Sequence, residues 1–173
     1  MVGEIRDSET AEIAVRASIT GHLVLSTLHT NDTASTVARL IDMGIEPYMV
    51  STSVVGIVSQ RLVKRLCPSC KIPYKADDKD KKMLGINGEN LILYRPNGCN
   101  KCIKGYRGRI PVHEVMYIDQ NIRKLIDTGA TTDEIEDASI KNGMKTLFAS
   151  AVNLAVSGIT SIEEVLRIGY TAE

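Results

Sequence analysis

Apolar residues change their spacing several times along this chain, and each change marks an element. Met1-Val2-Gly3-Glu4-Ile5-Arg6-Asp7 reads as the end of a buried strand. Ser8 then caps a helix, with Glu9 and Glu12 favouring the positive end of its dipole. Ala11, Ala14, Val15 and Ser18 keep the spacing of a narrow small-residue helix face, and Gly21 ends it. Residues 22–28 form an apolar run of strand length without alternation, which predicts a strand covered on both faces. His29-Thr30-Asn31-Asp32 is a turn. Residues 33–43 follow as a helix with Ala34, Val37, Ala38 and Ile41 inward and Gly44 as its stop. Strand, helix, strand, helix with short connections predicts a parallel α/β sheet.

Pro47 suits a first helical turn, and Val50, Val54, Ile57, Val58 and Leu62 extend the predicted helix over residues 47–66, with Arg61, Lys64 and Arg65 near its negative end. The charged run Asp77-Asp78-Lys79-Asp80-Lys81-Lys82 reads as a solvated face, and Leu91-Ile92-Leu93-Tyr94 as a short strand. Gly105-Tyr106-Arg107-Gly108-Arg109 is a turn leading to a strand over 110–118. The remainder is helical. Asp119 caps a helix to Asp127; Thr131-Thr132-Asp133-Glu134 has capping-box spacing for a helix that stops at Gly143. A third helix runs over 146–157 with Gly158 behind it, and Thr160-Ser161-Ile162-Glu163 caps a last short one. These helices predict a small bundle packed on the sheet or on the cysteine segment.

That segment holds the only four cysteines: Cys67-Pro68-Ser69-Cys70, then 28 residues, then Cys99-Asn100-Lys101-Cys102. Two Cys-x-x-Cys knuckles supply a closed tetrahedral shell, the pattern of structural Zn²⁺. A redox motif needs one such knuckle at a helix start after a strand. Paired disulfides would imply a secreted chain, yet Met1 opens no signal peptide. Four thiolates around Zn²⁺ leave two negative charges, and Lys64, Arg65, Lys71, Lys101, Lys104 and Arg107 crowd the knuckles. With no position open for water, the site predicts a staple rather than a hydrolytic centre.

Composition narrows the classes. At 173 residues one or two domains fit. Lys plus Arg equals Asp plus Glu at 21 each, which argues against a nucleic-acid footprint. No apolar run approaches 18 residues, so no membrane span is expected. Thiols in zinc spacing suit a reducing cytoplasm. With six Tyr, one Phe and no Trp, the core must rest on aliphatic residues.

The chemistry sits at the front. Glu4 lies at the C-terminal end of an apolar strand, where α/β folds place catalytic groups, and can orient a water or the Mg²⁺ shell of a nucleotide. Arg6 and Asp7 beyond it can equally be a surface pair. His22 and His29 bracket the next strand; a separation of seven puts them on opposite faces of a regular strand.

Met-Val-Gly-Glu-Ile-Arg-Asp-x-Glu-Thr-Ala, followed by Thr-Gly-His-Leu-Val-Leu-Ser-Thr-Leu-His-Thr-Asn-Asp, resembles the Walker B and His-box region of the secretion ATPase superfamily. Paired Cys-x-x-Cys with Gly-Tyr-Arg-Gly-Arg behind it is similar to the branch that drives type II secretion and type IV pilus assembly. The resemblance runs from Met1 to Tyr170. It implies that Glu4 is the Walker B glutamate, His22 and His29 the His-box pair, Arg6 a possible support, and Cys67, Cys70, Cys99 and Cys102 the zinc ligands. It also implies a homo-hexameric cytoplasmic motor using ATP and Mg²⁺, peripheral to the inner face of the cytoplasmic membrane and docked on an inner-membrane platform protein.

One departure matters. No Gly-x-x-x-x-Gly-Lys-Ser/Thr occurs, so the phosphate cradle is missing. The expectation is the C-terminal part of a RecA-like P-loop ATPase domain, α/β, with an inserted four-cysteine zinc module and a C-terminal helical subdomain. Its segments are 1–66, the ATPase core with Walker B and His box; 67–108, the zinc module; and 109–173, a strand plus helices. Alone it is expected to be inactive. A free-standing zinc-ribbon adaptor for protein or nucleic acid is the alternative, and a thiol oxidoreductase a third; neutral charge and few aromatics disfavour the adaptor.

Overall fold

Short polar side chains open nearly every helix. In a computed structural model that describes residues 1–170, Asp7 accepts from Thr10 N ahead of α1 (Ser8–Ile19), and Asp32 from Ser35 N ahead of α2 (Thr33–Asp42). Asp7, not Ser8, is thus the first cap. The last three residues of the expected 109–173 segment lie outside the described residues. Helix α3 (Pro47–Ser53) starts on its proline without a side-chain cap.

At Val54 the chain turns extended, and β1 (Gly56–Leu66) replaces the second half of the helix expected over 47–66. The apolar positions 50, 54, 58 and 62 are four apart, a spacing that keeps one face in either a helix or a strand. Gly56 disfavours a continuous helix, and its β-branched neighbours Val55, Ile57 and Val58 favour the strand. Ser59, Val63 and Leu66 are its buried positions, and Val58 and Leu62 face out. Its partner is β4 (Tyr106–Tyr117), which absorbs most of the turn expected at 105–109. Strands β2 (Ile72–Lys75) and β3 (Ile92–Arg95) pair antiparallel, Ile72 opposite Arg95. Between them, the charged run expected to be a plain solvated face forms α4 (Asp78–Leu84), capped by Asp77 and stopped by left-handed Gly85. The C-terminal helices are α5 (Gln120–Asp127), α6 (Thr132–Lys141) with its capping box on Thr131 and Glu134, α7 (Leu147–Val156) and α8 (Ile162–Tyr170).

The expected strands over 1–7 and 22–28 are extended segments rather than regular strands. Val2 N donates to Leu25 O (2.9 Å) and Ile5 N to Thr27 O (3.0 Å), so both run in one direction. Three residues on one side span two on the other, and the slip breaks the ladder. Cover on both faces is also not found: Leu23 and Leu25 are exposed, and Val24 and Leu28 pack inward.

The chain divides into two compact units, and the division falls inside both long strands. Unit 1 comprises Met1–Ser59 and Glu114–Met144, with a core that includes Ala11, Val37, Val50, Met116, Ile122 and Ile126. Unit 2 comprises Gln60–His113 and the residues from Lys145 onward, built on Val63, Leu93, Val112, Ala151 and Val165. No described helix is long and apolar enough to cross a membrane.

Glu164 is a buried carboxylate in unit 2. It accepts from Lys64 N (2.8 Å), and Lys64 Nζ (3.3 Å) and Arg167 Nη1 (3.0 Å) lie beside it. Burial pushes its pKa up, but the Lys64 amide and the two cations outweigh burial, and the result lies below the ordinary carboxylate value. A lowered native pKa gives stability that is present above the unfolded value, about 4.3, and is lost as pH falls through the native one. Glu164→Ala is therefore expected to cost about 2 kcal/mol at pH 7 and less at pH 2 to 3. Both cations are half-exposed or more, which keeps the figure modest. Urea melts of both proteins at the two pH values check it; an equal deficit at both would show a packing defect instead.

Candidate functional site

Two clusters of chemistry-bearing side chains stand out, one in each unit. In unit 1 the backbone bonds from Val2 and Ile5 lay the first residues beside 25–27, and Thr27 Oγ1 donates to Gly3 O (2.9 Å). Burial of Ile5 turns Glu4 toward the opposite side. There Glu4 Oε2 meets Arg6 Nη2 at 2.6 Å, and Glu4 Oε1 lies 2.6 Å from His29 Nε2. The His29 contact is at ion-pair distance without hydrogen-bond alignment, so Oε1 itself is buried with no aligned donor. Arg6 and His29 are exposed, at 76% and 88% of their side chains, against 22% for Glu4.

This setting fixes what Glu4 can do. Its hydrogen bond from Arg6 is the largest influence and lowers its pKa; partial burial opposes, and the charges of Arg6 and His29 lower it further. Arg6 is raised in return. Such a carboxylate stays ionised and is a weak proton acceptor, suited to orienting a water or a cation's shell.

His22 is not part of this group. It is exposed at the end of α1, where Nδ1 lies 3.3 Å from Thr20 Oγ1 and 3.2 Å from Ala17 O. Opposite faces were expected for the two histidines from a regular strand; the irregular segment leaves both exposed.

A residue that the sequence reading passed over holds the turn beyond His29. Glu114, 3% exposed, accepts from Thr33 N (2.8 Å) and Thr33 Oγ1 (2.6 Å) at the start of α2. Its signal was parity: in β4 it shares the buried face with Val112 and Met116. Glu136 nearby is raised by burial first, then by the charges of Glu114, Asp32, Asp133 and Asp137.

In unit 2 the four cysteines meet. Cys67 to Cys99 is 3.9 Å between sulfurs, Cys70 to Cys102 3.7 Å and Cys99 to Cys102 3.7 Å; all four sulfurs lie within 4.8 Å of one another. A tetrahedron with metal–sulfur bonds of about 2.3 Å has edges of about 3.8 Å, so the cluster fits a single ion. The thiols are free, not bridged. Burial first, then the neighbouring thiols, push Cys70 up to about 11. In Cys102 burial is overcome by the Cys99 amide, the Cys99 and Cys70 thiols and the Gly105 amide, to about 7. Of the cations around the knuckles, Lys71 donates to Gly158 O (2.7 Å) over the Tyr94 ring, and Lys64 is held by Glu164.

Residues 1–167 match the profile of a family described as type II/IV secretion system protein. The chain is 49% identical over 170 residues to type II secretion system ATPase E of Vibrio cholerae, covering 97% of this chain and 34% of that protein. It is 46% identical to the type IV pilus assembly ATPase PilB of Thermus thermophilus, covering 96% and 19%. The chain thus spans about a third or less of the length of these two relatives. Among solved structures, the pilus retraction motor PilT with bound ADP aligns at a TM-score of 0.64 and 25% identity, over 96% of this chain and 39% of that one. The ATPase DotB of Yersinia pseudotuberculosis aligns at 0.66 and 20%, over 98% and 36%, a likeness of fold.

Proposed function

Because this chain belongs to the type II/IV secretion system protein family, we propose that it is the C-terminal portion of a hexameric motor ATPase that powers type IV pilus assembly or type II secretion. The observation that carries the reading is the contact of Glu4 with His29 and Arg6, in a chain 49% identical to an ATPase of that family. Glu4 orients the attacking water or the Mg²⁺ shell of ATP. Arg6 holds Glu4 ionised. His29 senses the γ-phosphate, and His22, apart from Glu4, completes the His box from a second position. Cys67, Cys70, Cys99 and Cys102 hold a structural Zn²⁺, which the sulfur spacings support. Residues 1–66 then serve the nucleotide, 67–108 form the zinc module and 109–173 a strand plus a C-terminal helical subdomain. The motor works in the cytoplasm at the inner face of the membrane, against an inner-membrane platform protein.

His29 supplies the test. A side chain that follows a departing phosphate acts mainly in the transition state, so His29→Ala in the longer motor should lower kcat about 10²-fold or more with KM little changed. Steady-state kinetics on the two proteins read it directly. A raised KM at unchanged kcat would make His29 a binding or structural residue and remove the sensing role.

A further inference from the structure

Zero net charge conceals a segregation. Residues 60–113 carry 13 Lys and Arg against 4 Asp and Glu, whereas unit 1 carries 6 against 14. The four acids of 60–113 are Asp77, Asp78, Asp80 and Glu89, all outside the knuckles; residues 99–113 contain none. Beyond Cys99 the cations Lys101, Lys104, Arg107 and Arg109 are all exposed.

Among them stands one apolar side chain. Ile103 is 81% exposed. It sits at a two-residue hairpin: Ile103 N donates to Tyr106 O and Tyr106 N to Ile103 O, each at 3.0 Å. Lys104 (φ 49°) and Gly105 (φ 86°) form its apex, both left-handed, as a type I′ turn requires. Gly105 is wedged, since a Cβ there would lie 2.4 Å from Pro96 Cβ, and its carbonyl accepts from Cys67 N (2.8 Å). The apex is therefore fixed against the cysteine cluster. Lys104 is the one non-glycine residue with positive φ among the described residues. Asn or Gly would sit there with less strain, and a strained cation at an exposed apex points to a use for its charge.

We propose that this hairpin apex, with Lys101, Lys104 and Arg107 around Ile103, contacts an anionic lipid bilayer. Ile103 enters the acyl boundary, and the three cations lie among the lipid phosphates. A single projecting aliphatic side chain with diffuse positive charge suits an interface that demands no shape complementarity. A protein partner would need a wider apolar patch, and a single-stranded nucleic acid would want free aromatic faces. The one aromatic at the turn, Tyr106, is engaged: its hydroxyl pairs with Ser161 Oγ (2.8 Å) and Lys64 lies over its ring. The inference stands whether or not the motor reading holds.

The test uses the purified metal-loaded chain and vesicles of phosphatidylcholine with or without about 30% phosphatidylglycerol, a strongly anionic surface. The chain has no tryptophan, so Ile103→Trp installs a sole reporter. Its emission should shift to the blue with anionic vesicles, not with neutral ones, and reverse in high salt. Ile103→Ser should weaken co-sedimentation about tenfold, and Lys104→Asn, which the turn tolerates, about fivefold. Metal content and far-ultraviolet dichroism should be unchanged in all three, since these side chains are exposed. No blue shift, or co-sedimentation equal for Ile103→Ser, overturns the proposal. Absence of vesicle binding together with capture of an acidic polypeptide or of DNA overturns it in favour of that partner.

Discussion

Replacing Cys70 with Ser is expected to abolish metal binding and to unfold residues 67–102. The parent protein should carry one Zn²⁺ per chain. Away from the metal the knuckles have little to hold them: Cys67, next to buried Leu66, is their one buried side chain among 67–71 and 96–105, and the core residues Ala76, Leu84 and Leu93 lie in the loop between. Structural zinc in such a shell contributes about 10 to 16 kcal/mol, against about 5 to 15 kcal/mol for the stability of a typical domain. Local packing cannot replace that. A serine oxygen is a poor substitute for a thiolate at this ion, and the remaining three sulfurs would lack a closed shell.

The loss should travel along particular bonds. Leu66 N donates to Ile159 O (2.9 Å), Cys67 N to Gly105 O (2.8 Å) and Lys71 Nζ to Gly158 O (2.7 Å), so the turn between α7 and α8 rests on the first knuckle. Gly158 packs against the Tyr94 ring, where an added Cβ would lie at 2.6 Å. Elemental analysis should give a metal-to-protein ratio near one for the parent and near zero for Cys70→Ser. Hydrogen exchange should accelerate at the amides of Cys67, Cys70, Lys71 and Cys102. A metal-free chain with those amides still protected would defeat the assignment.

The gathering of the four cysteines was readable because it is written in spacing. Cys-x-x-Cys brings two sulfurs together by local geometry alone, and only the pairing of the knuckles needed the fold. Helix starts were readable for a similar reason, since Asp119, Thr131 and Thr146 each cap their own backbone. The helix expected over 47–66 failed because a four-residue spacing cannot separate the two periods. What decided it was Gly56 and the buried Ser59, whose hydroxyl donates to Asn31 O (3.3 Å). Helix α4 was hidden by its charges, although Asp77 before it and Gly85 behind it are ordinary helix punctuation. The contact of Glu4 with His29 was beyond sequence parity, because it depends on an irregular pairing between two extended segments. Glu114 was legible only as a charge on the wrong face of a strand.

Glu4→Gln in the longer motor is expected to lower ATP turnover about 10²- to 10⁴-fold while leaving ATP bound. The swap keeps the shape and removes the charge that Arg6 and His29 surround. Because Arg6 holds the Glu4 carboxyl below its usual range, wild-type turnover should show no acid limb from this group until pH falls below about 4.3. The 173-residue chain alone should behave differently from both. Phosphoryl transfer is mostly positioning and electrostatics, supplied largely by the amides, Lys and Ser/Thr of a Gly-x-x-x-x-Gly-Lys-Ser/Thr loop. That loop does not occur in these residues, so Glu4 has no anchored phosphate against which to orient water. The chain should hydrolyse no ATP above background and bind Mg-ATP no better than millimolar, about 4 kcal/mol. Calorimetry on the chain, with turnover and nucleotide-retention assays on the longer pair, measures each part. Micromolar ATP binding by these 173 residues would put the nucleotide site somewhere other than beside Glu4, and full turnover by Glu4→Gln would strip that carboxylate of its role.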